Sequence, residues 1–149
     1  MIPWAMQPDE TDWKILEILQ KGYVPNNTIA RELNISEGTV RGRIKKLKDS
    51  GVMRIRALIN PDVLENKQLV LVAIRVAESR LLEAKAEEIS ALDNVLSVSI
   101  VSGRYDLMAE VLVDSNRGLV EFLTEALSSI GGIALTESFL LLKNFNKFV

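Results

Sequence analysis

The sequence predicts an α+β protein of two modules, a helical N-terminal one and a β-α-β-β-α-β C-terminal one. Three observations carry this expectation. Up to Asp49, apolar residues recur at three- and four-residue spacing, the mark of helices packed on one face. Beyond it, "LVLVAIRVA", "VLSVSIVSG", "DLMAEVLV" and "GIALTESFLLLKNF" are apolar, β-branched runs of strand character, with two amphipathic stretches between them. Charge divides the same way: residues 1–60 hold ten Lys/Arg against seven Asp/Glu, and residues 61–149 hold eight against thirteen. A basic part followed by an acidic part suggests two modules with different partners. The polar stretch "INPDVLENKQ" breaks the periodicity, so the boundaries fall at 1–59, a hinge over 60–67, and 68–149.

In the first module, "DETDWKILEILQKG" reads as a helix with Trp13, Leu16 and Leu19 inward, Ile15 and Ile18 widening the stripe, and Gly22 as its stop. "NNTIARELN" is a short second helix, capped by Asn26 or Asn27, with Ile29, Ala30 and Leu33 inward. Ser36 then caps a third. Two short helices joined by so brief a turn have helix-turn-helix spacing. After Gly51 as the C-terminal stop, Val52 to Ile59 reads as an extended wing strand, with Arg54 and Arg56 on one face.

In the second module, "LVLVAIRVA" is a buried strand. A helix capped by Ser79 follows, with Leu82, Ala86 and Ile89 inward. Two strands then meet at a tight turn around Gly103 and Arg104. A second helix capped by Ser115 turns Phe122, Ala126 and Ile130 inward, and a long strand ends the module. The order is that of the split βαβ, or ferredoxin-like, fold. With both helices on one face, the other face is left bare, and Val70, Val72, Ile74, Leu140 and Leu142 are its candidates.

Composition narrows the function. The longest aliphatic run, "LVLVAI", is far short of a membrane span, and "MIPWAM" lacks the pattern of a signal peptide. There is no cysteine, hence no disulfide or thiolate chemistry, which fits a cytoplasmic protein. There is no histidine either, so the commonest general base and metal ligand is missing. No catalytic residue, metal or cofactor is expected.

The third helix carries the sharpest signal. On a helical wheel, Val40, Ile44 and Leu47 fall within about 60° and define the buried side. The opposite side collects Gly38, Thr39, Gly42, Lys45 and Lys46, flanked by Arg41 and Arg43, with Ser36 at its head. A basic helix face is often just solvated. This one, however, is the helix that enters the major groove in a helix-turn-helix. Glycine in a helix interior also costs about 1 kcal/mol against alanine, and on an exposed face it returns nothing in water. It is useful where another surface must come close to the backbone. Gly38 and Gly42 therefore mark the closest approach to double-stranded DNA, unless they are drift. Thr39 and Arg41 are placed to reach bases, and Arg43, Lys45 and Lys46 to meet phosphates. Arg54 and Arg56 extend that footprint or keep a strand edge soluble.

These segments resemble the Lrp/AsnC family of transcription regulators. "IARELNISEGTVRGRIKKLKDSGVM" is similar to the family's helix-turn-helix signature, "INPDVL" to its hinge and "VSGRYDLMAEV" to its sensor-domain signature; the opening "QPDETDWKILEILQ" lacks the usual leading leucine. The likeness covers nearly the whole chain. It implies a winged helix-turn-helix domain and a ferredoxin-like effector domain. It implies a homodimer formed through the sheet, assembling further into tetramers or octamers. It also implies an amino acid or related small molecule as effector, altering assembly or DNA affinity. Carried over, the effector residues are Ser102, Gly103, Arg104, Tyr105 and Asp106 at the turn, with Thr136 and Ser138 on the last strand. Turn amides can hold a carboxylate and Asp106 an ammonium group, although Asp106 equally suits a plain hairpin that bonds its own backbone. Arg104 fits an acidic or polar ligand or a neighbouring carboxylate. Tetrapyrrole-handling decarboxylases resemble the same family, but are expected to need the histidines this chain lacks.

Overall fold

The computed structural model describes residues 6–149, so the "MIPWA" of residues 1–5 lies outside the described residues. The chain forms two compact units, Met1–Ala57 and Leu58–Val149.

The first unit holds α1 (Glu10–Gln20), α2 (Asn26–Leu33) and α3 (Glu37–Asp49). Its core is Ile15, Ile29, Ala30 and Val40, with Ile18, Leu19, Leu33, Ile35 and Ile44 against it. Trp13 does not join that core. It is 53% exposed, and the position beside it, Asp12, is the buried one. The stripe is rotated because the Asp12 carboxylate has partners inside the unit.

Helix α2 is not capped by an asparagine side chain. Pro25 precedes it in extended conformation, and its carbonyl accepts the N–H groups of Thr28 (3.0 Å) and Ile29 (3.2 Å). Proline's fixed φ suits that corner. The turn to α3 passes through Asn34 at φ +53, a left-handed position that asparagine tolerates. Ser36 caps α3, accepting from Thr39 N–H at 3.0 Å. The extended run Val52–Ile59 forms no ladder strand among the described residues. A strand needs a partner, and only Ile59 finds one, exchanging both backbone bonds with Val149 (2.9 and 3.0 Å).

The second unit is a four-stranded antiparallel sheet in the order β2-β3-β1-β4, made of β1 (Lys67–Val76), β2 (Val95–Ile100), β3 (Leu107–Asp114) and β4 (Ile133–Leu140). Helix α4 (Leu82–Ser90) follows β1, and α5 (Ser115–Glu121) follows β3 and widens into a π-type turn over Phe122–Ala126. This is the β-α-β-β-α-β order expected of a ferredoxin-like fold. The predicted inward residues Ile89, Phe122 and Ile130 are buried, and Leu82 and Ala86 pack against them.

The helix caps differ from expectation. Ser79 opens a short 3-10 turn ahead of α4 and makes no cap bond. Ser115 takes φ +61 with its N–H bound to the Asn66 carbonyl, so Asp114 rather than Ser115 precedes the helix.

The sheet faces are also exchanged. Val70, Val72 and Ile74 lie under the helices with Leu107, Ala109 and Val111. Leu140 pairs with Val70 on that same side, and Leu142 falls beyond the strand, 89% exposed. The bare face carries the alternate set: Leu69, Leu71, Ala73 and Arg75, with Met108, Glu110 and Leu112 opposite and Leu135 and Phe139 on β4. From the C-terminal residues, Lys147 Nζ reaches Glu110 Oε1 at 2.5 Å.

Candidate DNA-binding face and effector turn

Helix α3 turns its buried side, Val40 and Leu47, to the core of its unit. Gly38, Thr39, Arg41, Gly42, Lys45 and Lys46 are all exposed, as are Arg54 and Arg56 beyond the helix. A Cβ added at Gly42 would meet no atom within 4 Å, and one at Gly38 would meet only Ser36 Oγ, at 3.9 Å. Nothing among the described residues therefore requires either glycine.

The charged side chains along this face differ in how free they are. Arg41 is paired to Glu37, and Lys45 to Asp49, each one helical turn away. Exposed pairs of this spacing contribute only about 0.3–0.5 kcal/mol, so a phosphate can displace them. Lys46 is exposed and has no ion-pair partner among the described residues. Arg43 is different. The sequence assigns it to phosphate, but its guanidinium lies on two carboxylates of α1, 2.7 Å from Asp9 Oδ2 and 2.8 Å from Asp12 Oδ1.

Those carboxylates also cap α1. Asp9 Oδ1 accepts from Asp12 N–H (2.9 Å), and Asp12 Oδ2 accepts from Asp9 N–H (3.1 Å), a reciprocal capping box. The bond from Arg43, followed by that from the Asp12 N–H, holds the Asp9 carboxyl below its ordinary value of 3.8. The sign is that of a depressed acid. The stabilisation is complete above the ordinary value and is lost as pH falls through the lower folded value. Helical circular dichroism under urea should thus show an earlier midpoint at pH 3 than at pH 6. Asp9→Asn should flatten that dependence.

In the second unit the β2–β3 turn is tightly braced. Gly103 sits at φ +134, a conformation side chains rarely adopt. The Arg104 carbonyl accepts from Arg75 Nη2 at 2.9 Å, and the Arg104 guanidinium lies 6.0 Å over the Tyr105 ring. Asp106 donates its N–H to the Ile74 carbonyl, and its Oδ2 accepts from Val76 N–H at 2.9 Å. The ladder shifts register at that point, between Arg75 and Val76. Its other oxygen has no hydrogen-bond partner among the described residues.

The structure thus brings the five turn residues together at the end of β1. Thr136 and Ser138 do not join them. They pair with Ile74 and Val72, so β1 lies between. Thr136 instead borders a cavity of about 510 Å³ beside Leu127, Ile130 and Ile133. Arg75 and Val76 brace the turn by hydrogen bonds that the sequence did not reveal, although a lone arginine in an apolar strand was a usable signal.

Comparison with known proteins matches both units. The Lrp/AsnC ligand-binding domain matches residues 69–148, and a winged helix-turn-helix DNA-binding domain matches residues 8–52. The chain belongs to the Lrp/AsnC family of transcriptional regulators. An HTH-type transcriptional regulator of Pyrococcus furiosus is 38% identical over 135 residues, covering 89% of this chain and 90% of the relative. The crystal structure of LrpA, the leucine response regulatory protein of Mycobacterium tuberculosis, superposes with a TM-score of 0.78 at 23% identity, covering 94% of this chain and 96% of that one. A Neisseria meningitidis regulator solved with L-Met superposes at 0.70 and 22% identity, covering 95% and 94%. As a member of this Lrp/AsnC family, the chain is a transcription regulator with a winged helix-turn-helix DNA-binding domain and a ligand-binding domain, not an enzyme.

Proposed function

We propose that this Lrp/AsnC protein is a cytoplasmic dimeric regulator whose two copies of α3 enter successive major grooves. The supporting observation is the outward side of α3, where two unobstructed glycines lie among Thr39, Arg41, Lys45 and Lys46. Thr39 and Arg41 face bases; Lys45, Lys46, Arg54 and Arg56 neutralise phosphates. The dimer forms through the bare sheet face, whose Leu71, Leu112, Leu135 and Phe139 favour a second copy over water. Half-sites then lie about 34–36 Å apart, in a pseudo-palindrome. The two outward glycines leave few long side chains for direct readout, so DNA shape contributes to recognition, and A·T-rich flanks are favoured. The dimers assemble into tetramers or octamers.

The effector is an amino acid. Amides of the Ser102–Tyr105 turn take its carboxylate, and the uncommitted oxygen of Asp106 takes its ammonium group. Thr136 and Ser138 contribute from a neighbouring copy, since β1 separates them from the turn within one chain. Likeness to a regulator solved with L-Met supports the ligand class. The test is a duplex selected from a random library by the full-length protein, titrated by fluorescence anisotropy with and without each of the twenty L-amino acids. Tight, salt-sensitive binding shifted by a subset of amino acids is the expected result. Affinity independent of salt would remove the phosphate role, and indifference to every amino acid would remove the effector class.

A further inference from the structure

We infer that Arg43 is a positioning residue, locking the rotation of the recognition helix onto the capped start of α1 rather than touching DNA. This rests on the DNA-binding reading of α3. Among the described residues, hydrogen bonds reach all four carboxylate oxygens of Asp9 and Asp12: two take Arg43, and two take each other's backbone N–H. The network spans 31 and 34 residues of sequence. It is also partly dry, because the Asp12 side chain is 3% exposed and that of Arg43 is 31% exposed. The surrounding charges agree, since Asp9 and Arg43 each favour their ionised forms more than usual, chiefly through this mutual bond.

Swinging Arg43 to a phosphate would leave the Asp12 carboxylate buried without its cation, a costly arrangement. The apolar contacts of Val40 and Leu47 hold α3 to its unit, but apolar contact is non-directional. The two charge-assisted hydrogen bonds from Arg43 Nη1 have direction. Arg43 is the neighbour of Gly42, so fixing its azimuth fixes where Gly42, Thr39 and Lys46 point.

The test uses the full-length protein, the selected duplex and a range of salt, at a temperature where circular dichroism shows each variant folded. Arg43→Gln should lose roughly ten- to a hundredfold in affinity while keeping the wild-type slope of log K against log salt. Asp9→Asn keeps a competent N-cap and removes a negative charge, yet should also weaken binding several-fold. The double variant should be little worse than Arg43→Gln alone. A slope reduced by about 0.9 in Arg43→Gln, with Asp9→Asn binding as tightly as wild type or tighter, would show a phosphate contact and overturn the inference. Wild-type affinity in both folded variants would reduce the network to a stabilising one and overturn it equally. A wild-type chain that selects no duplex would overturn the reading of α3 itself and the inference with it.

Discussion

Gly42→Ala will move DNA affinity and stability in opposite directions. The new methyl group meets no atom within 4 Å among the described residues. An exposed interior glycine replaced by alanine should therefore stabilise the first unit by about 1 kcal/mol. On DNA, in the proposed docking of α3, the same methyl stands where the backbone comes closest. Lifting the helix stretches the contacts of Thr39 and Arg41, each of which can contribute about 1–3 kcal/mol of base discrimination. Affinity for the selected duplex should fall roughly ten- to a hundredfold, while the melting temperature rises. Affinity for a scrambled duplex should change far less, because phosphate contacts by Lys46 tolerate a small displacement. Melting curves and anisotropy on the same samples decide it; a more stable protein that binds unchanged would make the glycines incidental.

Asp106→Asn and Asp106→Ala should separate the two duties of that side chain. One oxygen already satisfies the buried Val76 N–H at the register shift of β1. Asparagine keeps an acceptor there, so the second unit should lose no more than about 0.5–1.5 kcal/mol, the worth of one ordinary hydrogen bond. Alanine leaves the N–H unpaired, at about 1–3 kcal/mol. Both remove the negative charge proposed to hold the effector's ammonium group, so amino-acid affinity by calorimetry should drop roughly ten- to a hundredfold in each. If Asp106→Asn binds its amino acid as wild type does, Asp106 serves the hairpin alone.

The helices and strand order were legible because each element buries one face and repeats its apolar residues at that element's period. What was not legible needed a partner distant in sequence. Burial of Asp12 in place of Trp13 depends on Arg43, 31 residues away, which no local pattern signals. The phase of β1 was hidden because "LVLVAI" is apolar on both sides. The clue lay at its end: Arg75 shares parity with Leu69, Leu71 and Ala73, and Glu110 with Met108 and Leu112, so the charged residues marked the bare face. The wing strand failed for a related reason. Alternating side chains suit a ladder, but residues 52–58 find no strand to pair with among the described residues. The caps failed locally, where Pro25 supplied by its carbonyl what Asn26 was expected to supply by its side chain.

The face itself can be tested by position, because the chain contains no cysteine. Lys46→Cys and Glu125→Cys each create a unique attachment point for a short photo-crosslinker, one on the outward side of α3 and one on the exposed side of the second unit. Irradiated with the selected duplex, the label at position 46 should join protein to DNA in high yield, and the label at 125 should not. Efficient crosslinking from 125 with none from 46 would place the DNA elsewhere on the molecule and contradict the assignment of α3.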